Sequence, residues 1–472
     1  MKPRHPLIAD VLRPYYTATE LDALERLLAP SMAIALNPLG RVCASNREVE
    51  GSDPTNYDAV WVRDSVWAYY GLRAQGADEK AGVVLRGLLD YFSSPKQLKR
   101  LETITREPER SQAADGAMQV LHIRFDGKST AFEDVQSEGH DQIWNHKQND
   151  AVALTALAVG EALLEGWWKP EVLTGQAKTF LLGLPAYWQA LRFWQYEDAG
   201  AWEEIERVNT SSIALVVRSL EVWQKLLGQS GWLGVSGAGE ASALLPELIA
   251  HGYARIQKQT PFESPDYPAG AKYREADAAL LNLIFPGKLD KQSWDDRRRV
   301  LQTVERLVRE VGTIRYEGDS YQCAGFWRGE MAPETDSRTD DTSSEAAFAE
   351  RGTRLKAGTE AQWFFDSWIS QAYGILFHAT ADKEDYKRQV HFFNRALCQL
   401  TGPGEKGADG KPVPEGALPE SYNTVLEGEK RSFAPSPITP LNWSKACLAL
   451  ALRQLRQSLT QKVPKNGTIL HS

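Results

Sequence analysis

Residues 150–167 of the chain are DAVALTALAVGEALLEGW. Apolar side chains recur here at the spacing of a helix, without the strict alternation typical of a half-buried strand. The same periodicity returns on either side, for example in EKAGVVLRGLLDYFSS at 79–94. Strand-like alternation is scarce along the chain, so the sequence predicts a mostly helical protein.

About twelve helices are predicted in all. They cover residues 20–36, 64–76, 79–94, 150–167, 174–194, 211–228, 239–257, 275–284, 292–310, 361–378, 384–400 and 440–457. Long polar connections separate some of them, at 100–147, 258–274, 314–359 and 401–438. Twelve helices with elaborate loops at alternate junctions indicate six hairpins that close into an all-α (α/α)6 toroid, with the long loops at one end. An open helical solenoid is the alternative, but no fixed-period repeat supports it.

No break in composition divides the chain, so we expect a single domain over residues 1–472, with the toroid at approximately 20–457. Within the connections, an Asp-Gly turn between alternating segments predicts one β-hairpin at 119–133. The polar stretch 332–357 predicts a mobile surface loop. Segments 322–358 and 401–417 are expected to shape the mouth of a pocket.

Charge and composition narrow the classes of function. The net charge of −8 comes without a long basic run, so neither nucleic acid nor an anionic membrane is expected as a partner. The start of the chain lacks an apolar signal core, and no stretch approaches 18 apolar residues, so we expect a cytoplasmic protein. Four widely spaced cysteines are expected to stay reduced. Aromatic residues make up 10% of the chain and suit the apolar faces of sugar rings.

Most catalytic signatures are missing from the sequence. There is no HExxH pair, no GxSxG nucleophile motif and no glycine-rich phosphate loop. His140 and His146 flank Trp144, but their spacing does not predict a metal site. Carboxylates beside aromatic residues are the remaining candidates for chemistry.

The sharpest of these candidates is GAWEEIERVNTSS at 200–212, where Glu203 and Glu204 follow Trp202. Burial of a glutamate against an indole raises its pKa, which lets the side chain act as a general acid near neutral pH. Glu203, Glu204 and Glu206 could instead form the solvated first turn of the next helix, where acidic residues favour the helix dipole.

A second candidate is NYDAVWVRDSVWAYY at 56–70. Arg63 and Asp64 stand side by side among aromatic residues, and together they offer a donor and an acceptor for adjacent sugar hydroxyls. Asp64 could instead be a simple helix cap.

Four motifs in order, WVRDS, AWEEIERVNTSS, LPESYN and PLNWSKACLAL, resemble those of the glucoamylases of glycoside hydrolase family 15. The resemblance covers roughly residues 55–457. Relatives of that family include glucodextranases and the toroidal domain of the phosphorylase kinase α and β subunits. FDGKSTAFEDVQSEGH and YREADAAL look closer to the phosphorylase kinase branch, in which the domain is regulatory.

The resemblance implies roles for particular residues. Glu203 matches the general acid of the family, and Glu420, in a Glu-x-Tyr motif with Tyr422, matches the general base that activates water. Arg63 and Asp64 would hold the terminal glucose, and Tyr57 would lie near the catalytic water. The implied substrate-binding residues are Tyr57, Trp61, Arg63, Asp64, Trp144, Gln148, Trp202, Glu204, Arg315, Asp319 and Trp443.

The implied function is that of an inverting, exo-acting α-glucosidase that releases glucose from soluble α-glucans or malto-oligosaccharides. Hydrolysis of another linkage, such as that of isomaltose, dextran or trehalose, is an alternative, and so is a non-catalytic glucan-binding regulatory domain. No metal and no cofactor are implied, since carboxylates and water perform inversion.

Overall fold

A computed structural model describes residues 1–45, 59–137, 139–319, 321, 360–427 and 430–461. The α-helices in these residues are α1 (Pro6–Ala9), α2 (Ala18–Met32), α3 (Val62–Ala74), α4 (Asp78–Phe92), α5 (Pro95–Arg106), α6 (Gly116–Gln119), α7 (Asn149–Leu164), α8 (Gly175–Leu191), α9 (Thr210–Leu227), α10 (Ala238–Gln259), α11 (Trp294–Glu305), α12 (Asp366–Thr380), α13 (Lys383–Leu397) and α14 (Asn442–Thr460). The strands are β1 (Val60–Trp61), β2 (Arg124–Phe125), β3 (Gln136–Ser137), β4 (His140–Asp141), β5 (Ala361–Trp363), β6 (Ser421–Glu427) and β7 (Lys430–Pro435). Short 3₁₀ segments lie at Pro108–Gln112, Pro170–Val172, Gly200–Trp202, Ser230–Trp232 and Ala278–Leu283.

Within these described ranges, six elements form a closed inner ring. Going round it, α3, α7, α9, the 3₁₀ segment Ala278–Leu283, α12 and α14 each pack on the next, and α14 packs back on α3. Helix α7 illustrates why these elements are inside, because its alanine, valine and leucine residues as far as Leu163 are buried on every side. A helix that is apolar all round must be enclosed by other elements.

Outer helices alternate with the inner elements along the described chain: α2, α4, α8, α10, α11 and α13. The outer helices bury one face. In α4 the buried positions include Ala81, Val84, Leu85 and Leu88, which recur at helical spacing, whereas Asp78 and Glu79 lie in the first turn. The predicted (α/α)6 toroid is confirmed, and the contact of α14 with α3 rules out an open solenoid.

The ring closes where the first and last inner helices cross. A Cβ atom at Gly71 of α3 would lie 2.6 Å from the Cα atom of Ala446 in α14. Glycine is therefore required for this close approach. On the outside, α2 also packs on α14, and Arg456 bonds Asp22 and Glu25 at 2.6 and 2.7 Å.

The strands lie in the connections that lead into inner elements. Strands β1 and β2 pair just before α3 and ahead of α7, and the antiparallel sheet β5-β6-β7 precedes α12 and α14. These connections therefore meet at the amino-terminal ends of the inner helices, as the predicted grouping of long loops at one end requires.

The structure corrects several local predictions. The prediction of a hairpin at 119–133 is wrong, because β2 pairs with β1. Phe132 also has a φ of 55°, which is outside the range of strand residues. The helix predicted at 275–284 is a 3₁₀ segment that stops before Phe285-Pro286, because a residue before proline disfavours the α conformation.

Two further boundaries differ from the predictions. The start of the helix predicted at 361–378 is β5, because Ala361–Trp363 pairs with β6. The connection predicted at 100–147 includes the second half of α5, which begins at Pro95 and ends at Arg106. Proline favours the first position of a helix, so Pro95 starts this one and does not interrupt it. No helix in the described ranges is long and apolar enough to cross a membrane. The single domain over 1–472 stays a prediction.

Gly71→Ala tests the closure of the ring. The added methyl group must separate α3 from α14, so we expect a loss of about 1–3 kcal/mol in the free energy of unfolding. The matched control is Gly87→Ala in α4, where nothing lies within 4 Å of the position that the added methyl group would take. That change should be neutral or stabilise by about 0.4–1 kcal/mol. Thermal unfolding followed by circular dichroism compares the two, and equal midpoints would contradict this account of the seam.

Candidate active site

The segment GAWEE forms a short 3₁₀ turn, Gly200–Trp202, followed by a backbone reversal at Glu203. The φ of Glu203 is 61°, in the left-handed region that is costly for any residue with a side chain. The ends of this loop are held together by Asp198 and Arg207, whose backbone groups exchange hydrogen bonds of 2.9 and 3.0 Å. The reversal directs the neighbouring carboxyl groups of Glu203 and Glu204 to different partners.

Glu203 lies between a guanidinium group and an indole. Arg63 Nη1 donates to its Oε1 at 3.1 Å, and Trp144 Nε1 donates to its Oε2 at 3.2 Å. The side chain is 13% exposed, so it is mostly enclosed but still accessible. The structure thus brings together three residues that the sequence motifs assigned to one site.

Arg63 is buried at the start of α3 and is shared among several acceptors. Its Nε donates to Asp150 Oδ2 at 2.8 Å, and its Nη2 donates to Gln148 Oε1 and to the Gly200 carbonyl. Gln148 is a predicted site residue, but Asp150 is not among the predictions. An acidic residue in the first turn of a helix such as α7 is usually explained by the helix dipole.

Burial is the main influence on the carboxyl groups around Arg63. It raises the pKa of Glu203 above the ordinary value, and the positive charge of Arg63 opposes this. The opposition is weakened because the same guanidinium also pairs with Asp150. Burial, with a further contribution from the charge of Glu203, raises the pKa of Asp64 to about 7. A protonated Glu203 can donate a proton to an oxygen atom beside it.

Glu204 belongs to a second buried cluster. Arg315 Nη2 donates to Glu204 Oε1 at 3.0 Å, and Tyr316 Oη donates to Glu204 Oε2. Arg315 also forms a two-pronged pair with Asp319, at 2.9 Å from Nε and 2.7 Å from Nη2. Arg315 and Asp319 were predicted from the sequence. Tyr316 was missed, and so was Trp363, whose Nε1 donates to Asp319 at 2.8 Å.

Trp202 connects the loop to the centre of the ring. Its Nε1 donates to Asp277 Oδ1 at 2.7 Å, and its ring stacks on Trp443 with centroids 6.1 Å apart. Trp443 also stacks on Trp67 and is only 5% exposed. It therefore supports Trp202 from within the core, and direct contact of Trp443 with a substrate stays a prediction.

Trp61, the last residue of β1, lines the other side of the cluster. Its ring meets the ring of Trp144 at 5.3 Å between centroids, and the guanidinium of Arg124 lies 4.8 Å from Trp61 and 4.1 Å from Trp144. Cation–π contacts of this kind hold aromatic rings in place. No sequence signal singled out Arg124, which lies in the stretch predicted as a hairpin.

Glu420 comes just before β6 and is buried. Its backbone N–H donates to the Ile438 carbonyl at 3.0 Å, and Ser436 Oγ donates to its Oε2 at 3.5 Å. Two residues earlier, the Leu418 carbonyl accepts from the Leu441 N–H at 3.0 Å. Glu420 is therefore held near the start of α14, the helix whose Trp443 stacks on Trp202.

Tyr422 follows Glu420 in the Glu-x-Tyr motif and anchors the strand. Its hydroxyl donates to the Gln399 carbonyl at 2.8 Å. The guanidinium of Arg4 lies 4.1 Å from the ring centroid and also pairs with Glu405, within the segment 401–417. The segment predicted to shape the pocket mouth is thus tied to the strand next to Glu420.

Some predicted features lie outside the described residues: Tyr57, the segment 322–358 and the stretch 332–357 that was expected to be mobile. Of the two histidines beside Trp144, His140 is in β4, whereas His146 is buried and stacks on His122 at 3.7 Å. In the described part of the chain, no group of three or more His, Cys, Asp or Glu side chains is arranged to hold a metal ion.

Comparison with known proteins identifies the family to which the chain is similar. The family model described as "Glycosyl hydrolases family 15" matches residues 18–331. This range contains Glu203 and Glu204 with their arginine partners Arg63 and Arg315, but it ends before Trp363 and Glu420. The chain is similar to "Uncharacterized lipoprotein YgeQ" of Escherichia coli (strain K12), with 37% identity over 199 residues, 40% of this chain and 74% of that protein.

Two solved structures share the fold. A wild-type glycosidase superimposes with a TM-score of 0.60 at 14% identity, covering 93% of this chain and 99% of its own. The glucoamylase of Saccharomycopsis fibuligera gives a TM-score of 0.55 at 14% identity, with 95% and 97% covered. At these identities the likeness concerns the fold alone.

Arg315→Met tests the cluster around Glu204. Methionine fills much of the space but leaves Glu204 and Asp319 buried without their cation, so we expect a loss of about 3–5 kcal/mol in the free energy of unfolding. The control is Arg299→Met, which removes an exposed pair with Asp296 and should cost at most about 1 kcal/mol. Thermal unfolding measures both variants. A midpoint for Arg315→Met like that of the control would contradict the assignment of a buried ion cluster.

Proposed function

The chain belongs to family 15 of the glycosyl hydrolases, and we propose that it is an inverting, exo-acting α-glucosidase. Its substrates would be soluble α-glucans or malto-oligosaccharides, from whose non-reducing ends it releases glucose. Glu203 would be the general acid, and Glu420 the general base that activates water. Short intracellular oligosaccharides would be the natural substrates, in line with the cytoplasmic location expected from the sequence.

The setting of Glu203 carries this proposal. A general acid must be protonated at the working pH and must reach the glycosidic oxygen. Burial raises the pKa of Glu203, and its side chain keeps a small exposed fraction through which a substrate can reach it. Arg63 and Trp144 fix both carboxyl oxygens through hydrogen bonds, so the group is already oriented before a substrate binds.

The place of Glu420 fits the second role. Inversion needs a carboxylate across the sugar ring from the acid, at about 6.5–9.5 Å, so that a water molecule fits between. Glu420 comes from the far end of the chain, and the stacked pair Trp202 and Trp443 joins its surroundings to the Glu203 loop. Ser436 Oγ donates to one carboxyl oxygen of Glu420, which helps to fix the orientation of this side chain.

The charge pairing in the two clusters fits a neutral sugar as the substrate. Arg63 is paired with Asp150 and Glu203, and Arg315 is paired with Glu204 and Asp319. An anionic substrate would have to compete with these carboxyl groups for the two guanidinium groups. The carboxylates among them would also stabilise the positive charge that develops on the sugar ring as a glycosidic bond breaks.

Glu203→Gln and Glu420→Gln test the two roles. Each should lower kcat on maltotriose by about 10²- to 10⁴-fold, since each removes a proton-transfer group, while the thermal midpoint stays near that of the wild type. Glu197→Gln is the matched control, because Glu197 pairs with Lys272 and Tyr267 outside the site. Wild-type turnover in Glu203→Gln would refute the assignment of the acid.

The stereochemistry and linkage are tested by the products. Wild-type protein incubated with maltotriose or isomaltotriose should release β-glucose first, whereas inversion on trehalose should give α- and β-glucose in equal amounts. NMR distinguishes the two anomers. We expect maltotriose to be cleaved fastest. Faster cleavage of either of the other two would contradict the proposed α-1,4 linkage preference. Initial release of α-glucose from maltotriose or isomaltotriose would exclude inversion. Binding without hydrolysis of any of the three would favour a regulatory domain.

Trp144→Phe tests the proton-donor state of Glu203. The indole N–H stabilises the carboxylate, so its removal should raise the pKa of Glu203 further. Activity requires protonated Glu203 and is lost as the pH rises through that pKa, so the alkaline limb of the kcat/KM profile should move to higher pH. The control is Trp294→Phe on the outer helix α11. A limb that stays in place or moves to lower pH would contradict the hydrogen bond as the cause.

A further inference from the structure

Glu206 lies on the Glu203 loop, three residues further along the chain, and joins it to the loop that carries Trp144. Asn145 Nδ2 donates to Glu206 Oε1 at 2.8 Å, and Lys147 Nζ donates to Glu206 Oε2 at 2.9 Å. Both carboxylate oxygens are thus used, and both partners stand on the segment 144–148. These contacts contradict the alternative in which Glu206 belongs to a solvated first helical turn.

Hydrogen bonds within the segment 144–148 connect its residues, so a contact that fixes one of them also restrains Trp144. Asn145 Oδ1 accepts from the Lys147 N–H at 3.0 Å, and the Asn145 carbonyl accepts from Gln148 Nε2 at 2.8 Å. The Lys147 carbonyl also accepts from the Ala199 N–H at 2.8 Å. Gln148 in turn accepts from Arg63, which donates to Glu203.

The opposite side of the segment is anchored by His146. Its backbone N–H donates to the Ala117 carbonyl and its Nδ1 accepts from the Ile123 N–H, both at 3.3 Å. These contacts hold the segment to the stretch from α6 to β2, away from Glu203. The side that faces the Glu203 loop is held by Ala199 and by Glu206.

We infer that Glu206 is a positioning residue that clamps the segment 144–148 onto the Glu203 loop and so keeps the Trp144 N–H on Glu203. The inference rests on the proposed function, in which Glu203 is the acid. Two parallel connections join the same pair of loops, Trp144 to Glu203 and the pair Asn145–Lys147 to Glu206. Without the second connection, the segment is still bonded to the Glu203 loop through Trp144 and through the backbone bond at Ala199, and Trp61 and Arg124 still pack on the indole ring from the other side.

The burial of Lys147 separates this clamp from an ordinary surface ion pair. Its side chain is only 8% exposed, whereas that of Glu206 is 26% exposed. An ammonium group that has lost most of its hydration needs its carboxylate, and truncation of Glu206 would drive Lys147 outwards and the segment with it. Exposed ion pairs, by contrast, hold their backbones weakly.

Hydrogen exchange measured by mass spectrometry tests the clamp without relying on activity. In Glu206→Ala, a peptide spanning 144–148 should exchange several-fold faster than in the wild type. Asp266→Ala is the matched control, because Asp266 also holds two cations, Arg255 and Lys258, and its side chain is 29% exposed. That variant should leave exchange at 144–148 unchanged. Unchanged exchange in Glu206→Ala would overturn the inference, whatever the activity.

Kinetics then tests the route through Trp144. Glu206→Ala should lower kcat by about tenfold and move the alkaline limb of kcat/KM to higher pH, because a misplaced indole no longer stabilises the Glu203 carboxylate. Glu206→Gln, which keeps an oxygen to accept from Lys147, should be intermediate. In the Trp144→Phe background, Glu206→Ala should add little, since both changes remove one interaction.

Fully additive losses, or a limb that does not move, would overturn the positioning role of Glu206. Failure of the proposed function is a separate result. A wild-type protein that hydrolyses none of the three glucosides would refute it, and the exchange experiment would still decide whether Glu206 clamps the segment.

Discussion

The closure of the helical ring is the constraint on which every site residue depends. Arg63, Trp144, Glu203, Arg315 and Glu420 come from five different parts of the chain, each close to the start of an inner element or in a connection that leads to one. The contact of α14 with α3 closes the ring and brings the start of each inner helix to one end of the toroid. The close crossing at Gly71 and Ala446 is therefore as much a condition for the proposed site as the carboxyl groups themselves.

Within that frame, two buried guanidinium groups organise the carboxyl groups. Arg63 binds Asp150 and Glu203, and Arg315 binds Glu204 and Asp319. Buried pairs of this kind gain little stability beyond the cost of removing water from the charges, but they fix positions. The left-handed backbone at Glu203 lets two consecutive glutamates serve the two clusters separately. One stretch of five residues thus provides both a carboxyl group with a raised pKa and a neighbour held by an arginine.

The fold was largely predictable because inner helices such as α7 are apolar on all sides and outer helices such as α4 on one. The 3₁₀ segment Ala278–Leu283 and strand β5 were not predicted correctly. Hydrophobic periodicity alone does not show the effect of a following proline or the presence of a distant strand partner. At the site, the motifs identified Arg63, Trp144, Glu203 and Arg315, which the structure places in two buried clusters joined by the consecutive residues Glu203 and Glu204. The contacts of Asp150, Tyr316 and Glu206 could not be predicted, because their partners lie far away in the sequence. The residues next to them in the sequence indicated helix ends or solvent-exposed positions instead.

The contact of Arg4 with Tyr422 has a practical side. Arg4 rests against the strand that begins beside Glu420, so a label or a surface-immobilisation linker attached close to Arg4 would pull on that strand. Rates measured on protein attached in this way would reflect the attachment as well as the protein itself. A label placed on an exposed outer-helix position such as Val83 would avoid that strain.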